Sequence, residues 1–426
     1  MKPTILVYLG NDFSREYFAP LNHYYTFIYH KLDYAQDPLS FLHHSLSIIK
    51  KKKISIDAVL GDIDDASAIA SLAAKKLKLS GPSPQSIFKA QHKILFVREC
   101  EQLLPYFPKS LYVDLTKKKY MMPKDYPAFI KPTRGALSIY SYMLSSQKEF
   151  ESTIEHLKTL KRKDLYWFDE LLKASLKKKY PSTNAYIVQP FMTARQYTVD
   201  GFVSDGKIQL FGFTQTIYTP DRKSFIRFDH PGTIEQKIKQ QVLRFLQKYI
   251  KNTNYDHAGF NMEFFVSKGK IYPIEFNTRL SKQFSPLFGE WYLKPSVGYV
   301  VDVALGKNPQ LIEKSKAERN AASSCVLRTT KDCKIQSVPT QKELKKLHAL
   351  PGVLGIRILV EPGKKLSDYK QDSYTYRYAL IDIAGKNKTE ILQTLEIVKK
   401  KLRIQLVPIL KKGSKGDKRD RGAKGV

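Results

Sequence analysis

Two glutamates lie inside runs of apolar residues that the sequence pattern predicts to be β-strands. Glu263 falls within the first run, residues 259–266, and Glu275 falls within the second run, residues 271–279. The Ser-Lys-Gly-Lys connection between the two runs is typical of an antiparallel hairpin. A carboxylate that is buried without a cationic partner costs free energy, so we expect a cation beside these two side chains.

Asn277 and Arg279 follow Glu275 at intervals of two residues, which places the three side chains on one face of a strand. Carboxylate and amide oxygens are ligands of hard cations, and a guanidinium group binds anions. Together with Glu263, these residues predict a site for Mg²⁺ that carries a polyphosphate. The alternative is a salt-bridged hairpin in which Arg279 or Lys270 neutralises the glutamates, but four such residues in one register favour the metal site.

Lys131 is a further candidate for binding phosphate. It stands at the end of an apolar run, before a proline, and residues 133–138 follow as a loop of mainly small residues. A lysine beside a loop that offers backbone N–H groups suits a phosphate group. Lys93 falls in a predicted helix over residues 85–100, and its spacing alone assigns it no role.

The elements that must position these residues divide the chain into parts. Strands alternate with helices over residues 1–84, which predicts a parallel α/β sheet. Residues 85–310 contain the candidate site, and the turn-rich segment 220–231 within them predicts either a mobile loop near a substrate or simply a long surface loop. Residues 311–410 predict an α+β unit, and residues 411–426 are charged and poor in apolar side chains, which predicts a disordered basic tail.

The composition indicates a globular protein. A chain of 426 residues predicts about three domains, and 42% hydrophobic and 12% aromatic residues can form a sizeable core. Cys100, Cys325 and Cys333 lack a metal-binding spacing, which favours a reducing compartment without disulfides. The sequence contains no run of 18 apolar residues and no signal-peptide pattern, so we expect a cytoplasmic protein without a membrane span.

The net charge of +32 would attract nucleic acid or an anionic membrane. The lysines, however, occur in short runs along the whole chain, and no RNP, zinc-finger or helix-turn-helix pattern accompanies them. We therefore expect a lysine-rich surface and not a nucleic-acid partner, although the 26 tyrosines leave nucleic-acid binding as an alternative.

Taken in order, these motifs resemble those of the ATP-grasp superfamily. They are most similar to the branch that contains L-amino-acid ligases, biotin carboxylase and carbamoyl-phosphate synthetase, from residue 1 to about residue 310. The motifs that carry the resemblance are Lys93, Ile130-Lys131-Pro132, the hinge run 186–192, the run 196–201, Glu263, and Ile274-Glu275-Phe276-Asn277-Thr278-Arg279. The metal-site hairpin is the most specific of them.

The resemblance implies a fold class that combines α/β and α+β parts. A Rossmann-like domain (1–84) would precede a two-lobed ATP-grasp domain (85–310) and a C-terminal α+β domain (311–410). ATP would lie between the two lobes. The nucleotide-binding residues that the resemblance implies are Lys93, Lys131 and Ser138 at the phosphates, Gln189 and Phe191 at the adenine, and Gln196 at the ribose. Gln189 and Gln196 are neutral where relatives often carry glutamate, which predicts a weaker hydrogen bond to the ribose.

The resemblance also implies the chemistry. Glu263, Glu275 and Asn277 would hold one or two Mg²⁺ ions, with Mn²⁺ as an alternative, and Arg279 would be the catalytic residue that stabilises anionic intermediates. Such enzymes phosphorylate a carboxylate, and an amine then attacks the acylphosphate. The implied partners are a small-molecule carboxylate and an amine, with amino acids as candidates, and a homodimer is left open.

Two other functions remain as alternatives. The first is an enzyme of the same fold with a different acceptor, such as bicarbonate or a phosphorylated metabolite. The second is a nucleotide-binding or nucleic-acid-binding protein without catalysis.

Overall fold

The structure is a computed structural model that describes residues 1–11, 14–135, 139–176, 180–314, 319–372 and 374–409, with Lys163 by its backbone alone. Ser138 and the predicted tail 411–426 lie outside the described residues. Among the described helices, none is both long and apolar enough to cross a membrane.

The chain begins with a three-stranded parallel sheet in the order β2-β1-β3. Its elements are β1 (Thr4–Leu9), α1 (Arg15–Phe18), β2 (Thr26–Lys31), α2 (Pro38–Lys51), β3 (Ala58–Gly61) and α3 (Asp64–Leu77). Strand β1 is buried from Ile5 to Leu9, and the alanine-rich helix α3 packs closely on β1 and β3 because its side chains are small. This is the parallel α/β arrangement that the sequence predicts.

A four-stranded antiparallel sheet follows, in the order β4-β7-β5-β6. The elements of this part are α4 (Pro84–Gln91), α5 (Lys93–Leu103), β4 (Leu111–Asp114), β5 (Ala128–Pro132), β6 (Tyr142–Leu144), α6 (Gln147–Thr159), α7 (Tyr166–Ser175) and β7 (Ala185–Pro190). The single helix predicted over residues 85–100 is wrong, because the backbone of His92 is extended (φ −84°, ψ 101°) and separates α4 from α5. Lys93 is therefore the first residue of a helix.

The largest sheet has eight strands, all antiparallel, in the order β12-β11-β8-β9-β10-β13-β16-β15. Its first part comprises β8 (Arg195–Ser204), β9 (Lys207–Tyr218), β10 (Phe225–His230), α8 (Gln236–Thr253), β11 (Ala258–Ser267), β12 (Lys270–Asn277), α9 (Ser285–Phe288) and α10 (Ser296–Ala304). The loop predicted over residues 220–231 is wrong for its second half, because β10 pairs with β9 on one side and β13 on the other.

The C-terminal residues extend the same sheet. They form β13 (Ala321–Thr329), β14 (Cys333–Ser337), α11 (Gln341–His348), β15 (Val353–Ile358), β16 (Tyr376–Gly385), α12 (Lys388–Lys401) and β17 (Gln405–Pro408). Strands β14 and β17 make a separate two-stranded sheet. The boundary expected near residue 311 therefore falls between paired strands of one sheet, β10 and β13.

Candidate active site

The hairpin of β11 and β12 sets the two glutamates directly opposite each other. In this antiparallel pair Glu263 faces Glu275. Asn261 faces Asn277 two residues further along the strands. Thr198 of β8 lies opposite Glu263 on its other side. Two carboxylates therefore share one position on the sheet, which is unfavourable unless positive charge lies beside them.

The two glutamates have opposite pKa shifts. Burial raises the pKa of Glu263, and the charge of Glu275 raises it further. Burial also raises the pKa of Glu275, but Lys93 and Lys131 outweigh this effect and hold it below its usual range. The Lys93 ammonium lies 2.8 Å from Glu275 Oε2. The two facing carboxylates would offer oxygen ligands to a divalent cation at this position.

Asn277 is held with its amide oxygen available. Its Nδ2 donates to Asn261 Oδ1 at 3.1 Å and to Glu275 Oε1 at 3.3 Å. Asn261 in turn donates to Asp200 Oδ2 at 2.8 Å. Because the amide nitrogen of Asn277 is used in this network, its oxygen is the atom left for a cation. Burial raises the pKa of Asp200 to about 7.

The donor set suits Mg²⁺. Among the described residues, no group of three or more His, Cys, Asp or Glu side chains could hold a metal ion by itself. Glu263, Glu275 and Asn277 would supply some of the oxygen ligands that Mg²⁺ requires, and phosphate oxygens and water commonly supply the rest. The residues therefore fit a metal that arrives with a nucleotide.

Gln196 contacts Glu263, one of the two glutamates of the candidate metal site. Its Nε2 donates to Glu263 Oε2 at 2.9 Å, and its Oε1 accepts a hydrogen bond from the Tyr218 hydroxyl. The sequence patterns do not identify Tyr218, because its role depends on the pairing of β8 with β9.

Both candidate lysines reach the same cluster. Lys131 lies at the end of β5, and its Nζ donates to the carbonyl of Ile274 at 3.3 Å. Burial and repulsion by Lys93 lower the pKa of Lys131 to about 8. Lys93 also donates to the carbonyl of Gly135 at 3.2 Å, so it contacts both the hairpin and the loop after β5.

The two residues expected at the adenine lie at the end of β7. Gln189 donates to Ser110 Oγ at 2.9 Å, and the Phe191 N–H donates to the carbonyl of Pro127 at 3.0 Å. The Phe191 ring is 38% exposed and lies 6.3 Å from the Phe129 ring. The structure thus gathers Lys93, Lys131, Gln196, Glu263, Glu275 and Asn277, and it places Gln189 and Phe191 on the small sheet.

Arg279 is half-buried, and its hydrogen bonds to the described residues are long. Its guanidinium lies 3.5 Å from Asp64 Oδ2 and 3.5 Å from the carbonyl of Leu280. Burial lowers its pKa, but Asp64 and Glu275 outweigh burial and raise it, so the group stays charged. Contacts at the upper limit of hydrogen-bond length leave the guanidinium free to bind an anion. Asp64, at the start of α3, is a site residue that the sequence patterns do not identify.

The chain resembles known proteins in both sequence and structure. The sequence model of the ATP-grasp domain matches residues 124–286. Among curated proteins, no sequence matches this chain.

Solved structures resemble nearly the whole chain. The L-amino acid ligase from Bacillus licheniformis has a TM-score of 0.72 and 14% identity, and the match covers 95% of this chain and 98% of that one. Phosphoribosylglycinamide synthetase from Anaerococcus prevotii has a TM-score of 0.62 and 13% identity, covering 95% and 100%. The biotin carboxylase domain of 2-oxoglutarate carboxylase from Hydrogenobacter thermophilus, a dimer in complex with MgADP and bicarbonate, has a TM-score of 0.64 and 11% identity, covering 94% and 91%. At these identities the similarity is one of fold.

Proposed function

We propose that this chain, which has the ATP-grasp fold and carries an ATP-grasp domain at residues 124–286, is an ATP- and Mg²⁺-dependent ligase that joins a carboxylate to an amine. The predicted resemblance to the ATP-grasp superfamily is confirmed by the family match and by the solved structures. The observation that carries the proposed activity is the half-buried cluster of Glu263, Glu275 and Asn277 with two ammonium groups beside it.

The cluster fits phosphoryl transfer, which needs positioning and charge neutralisation more than a protein nucleophile. Glu263, Glu275 and Asn277 would hold Mg²⁺, or Mn²⁺, and this cation would neutralise phosphate charge when bound. Lys93 of α5 and Lys131 of β5 supply further positive charge.

Arg279 binds the carboxylate substrate in this proposal. An oxygen of that carboxylate attacks the terminal phosphorus of ATP, the bond from this phosphorus to the bridging oxygen breaks, and ADP leaves. The amine nitrogen then attacks the carbonyl carbon, the C–O bond to phosphate breaks, and phosphate and one proton leave. The guanidinium stabilises the negative charge that develops on the carboxyl oxygens in both steps.

The proposal also covers the cellular compartment and the oligomeric state of the protein. Three cysteines without metal-binding spacing favour a reducing compartment, so the cytoplasm is the proposed location. A homodimer is the assembly to test first, because the Hydrogenobacter thermophilus domain is a dimer.

The test is the release of ADP and phosphate by the purified protein. We expect release from ATP only when a carboxylate, an amine and Mg²⁺ are all supplied. Glu275→Gln should reduce turnover at least about 100-fold, because it removes one ligand charge at the cation. Circular dichroism should show that the variant is folded.

The matched control is Glu396→Gln, which makes the same change on the exposed face of α12, where Glu396 forms an ion pair with Lys399. It should keep full turnover. Full turnover in Glu275→Gln would contradict the proposed metal site. Bicarbonate in place of the carboxylate and amine tests the alternative acceptor.

A further inference from the structure

Three buried polar side chains meet at Thr278, the residue between Asn277 and Arg279. They are Thr278 itself, Ser67 of α3 and Gln91, the last residue of α4. Thr278 Oγ1 lies 2.6 Å from Ser67 Oγ and 2.6 Å from Gln91 Nε2, and Gln91 Nε2 lies 2.9 Å from Ser67 Oγ. Because these are hydrogen-bond distances, one network joins the end of β12 to α3 and α4.

The network also contacts the backbone of Asp64, the residue whose carboxylate lies beside Arg279. Gln91 Nε2 donates to the Asp64 carbonyl at 2.7 Å, and the Ser67 hydroxyl donates to the same carbonyl at 2.8 Å. These bonds hold the first residue of α3 against Thr278. The network therefore sets the Asp64 carboxylate relative to Arg279.

The backbone that carries Arg279 lies beyond the strand pairing, because the register of β11 with β12 ends at Asn277. Before Arg279 the segment is held by the side chain of Thr278. After Arg279 it is held by the N–H of Ser281, which donates to Asp200 Oδ1 at 2.9 Å. The hydrogen bonds of the guanidinium to the described residues are 3.5 Å long, so the place of Arg279 depends on these two anchors.

The network also connects the hairpin with the start of α5. Gln91 precedes Lys93 by two residues, and the Lys93 ammonium lies 2.8 Å from Glu275 Oε2. The hydrogen bond from Gln91 to Thr278 therefore joins the chain just before Lys93 to the chain just after Glu275. A change in this bond would shift both sides of the candidate site.

We propose that Thr278, Gln91 and Ser67 are positioning residues of the ligase, and that their hydrogen bonds hold Asn277 for the cation and Arg279 for the substrate anion. Groups behind a binding site that fix its side chains in this way contribute to metal affinity and activity without contacting the ligand. This inference rests on the proposed ligase activity and adds three residues to it.

Two substitutions of Thr278 separate a positioning role from a structural one. The measured quantity is the Mg²⁺ concentration that gives half-maximal ADP binding, in calorimetry at fixed ADP. Thr278→Val keeps the shape and removes the hydroxyl, so it should raise this concentration about tenfold. Thr278→Ser keeps the hydroxyl and removes a buried methyl group, so it should lower the unfolding midpoint and leave the Mg²⁺ concentration at the wild-type value.

Turnover should respond in the same way, because Arg279 loses the same anchor. In the ADP-release assay we expect Thr278→Val to lower turnover about tenfold or more, as a displaced active-site group commonly does. Thr278→Ser should keep the wild-type turnover.

Gln91→Met tests whether the three residues act as one network. It keeps the length of the side chain, removes the amide and should raise the Mg²⁺ concentration as Thr278→Val does, which keeps the test valid if Thr278→Val does not fold. The double variant should show about the effect of the larger single change, because both remove the same hydrogen bond. Effects that multiply in the double variant would overturn the network.

Thr253→Val is the matched control. It removes a buried hydroxyl that donates to the carbonyl of Tyr249 at 2.8 Å within α8, and it should leave the Mg²⁺ concentration and turnover unchanged.

The outcomes separate the two proposals. Wild-type protein that binds no ADP with Mg²⁺ would overturn the proposed metal and nucleotide site, and this inference with it. A wild-type Mg²⁺ requirement in both Thr278→Val and Gln91→Met, or the same increase in Thr278→Ser as in Thr278→Val, would overturn the positioning role and leave the ligase proposal standing.

Discussion

Tyr218 acts on Glu263 through one intermediate side chain. The Tyr218 hydroxyl donates to the side-chain oxygen Oε1 of Gln196. This hydrogen bond orients the side-chain amide so that its Nε2 points to Glu263. Burial and the nearby Glu263 charge raise the pKa of Tyr218, so the hydroxyl remains a donor at any ordinary pH. Groups that orient a metal ligand in this way commonly change metal affinity by 10- to 100-fold when removed.

Tyr218→Phe should therefore weaken Mg²⁺ binding without unfolding the protein. We expect about a tenfold rise in the Mg²⁺ concentration that gives half-maximal ADP binding, measured by calorimetry at fixed ADP. Tyr24→Phe removes the same hydroxyl from an exposed ring and should leave this concentration unchanged. An unchanged Mg²⁺ requirement in Tyr218→Phe would show that Gln196 is oriented without the tyrosine.

The sequence reveals only those site residues that stand in a regular local pattern. Glu263, Glu275 and Asn277 can be found because a charge or amide inside an apolar run is visible from neighbouring residues alone. Asp200 and Tyr218 cannot be found in this way, because their contacts depend on which strands become neighbours in the sheet. A strand order is a property of the whole chain and not of a window of residues.

Among the helices and strands, too, the sequence predicts those that depend on neighbouring residues and misses those that depend on distant contacts. The β11–β12 hairpin is predicted correctly because its strands and turn are contiguous. Strand β10 is missed because its neighbouring turn residues suggest a loop, and only pairing with β9 and β13 makes it a strand. The break at His92 is missed because the burial of its ring, and its hydrogen bond to the carbonyl of Pro181, involve a segment 89 residues away.

His230, at the end of β10, should make the protein sensitive to acid. Burial lowers the pKa of His230 to about 4, because its ring packs against Phe288 and Trp291. Between pH 6.5 and 4 the unfolded chain binds a proton at this position that the folded chain does not bind. The free energy of unfolding therefore decreases as the pH falls through this window.

The measurement is urea unfolding of wild type and His230→Gln at pH 7.5 and pH 4.5. The variant cannot titrate, so its loss of stability between these pH values should be smaller by about 2–3 kcal/mol. His43→Gln, at an exposed position of α2, should show the same loss as wild type. Equal losses in His230→Gln and wild type would mean that His230 does not titrate in this window.

At the scale of the whole molecule, the continuous eight-stranded sheet joins the proposed active site to the C-terminal residues. Strand β13 pairs with β10 over four residues, and β16 and β15 continue the sheet beyond it. One apolar core also spans the expected boundary at residue 311, since Phe228 and Phe284 pack in the same cluster as Val326 and Leu380. The C-terminal residues therefore pair with β10 and share an apolar cluster with it, in the same sheet whose other strands carry the candidate site.

A chain that ends at residue 310 should consequently fail to fold as a soluble ATP-binding protein. Removing β13 leaves β10 as an unpaired edge strand and exposes the apolar cluster around Phe228, and both changes favour aggregation. We expect aggregation in size-exclusion chromatography and loss of ADP binding. A chain that ends at residue 410 removes only the charged tail and should keep the unfolding midpoint and the ADP affinity of the full chain. A soluble, ADP-binding chain of residues 1–310 would instead show that the boundary expected at residue 311 separates independently folding domains.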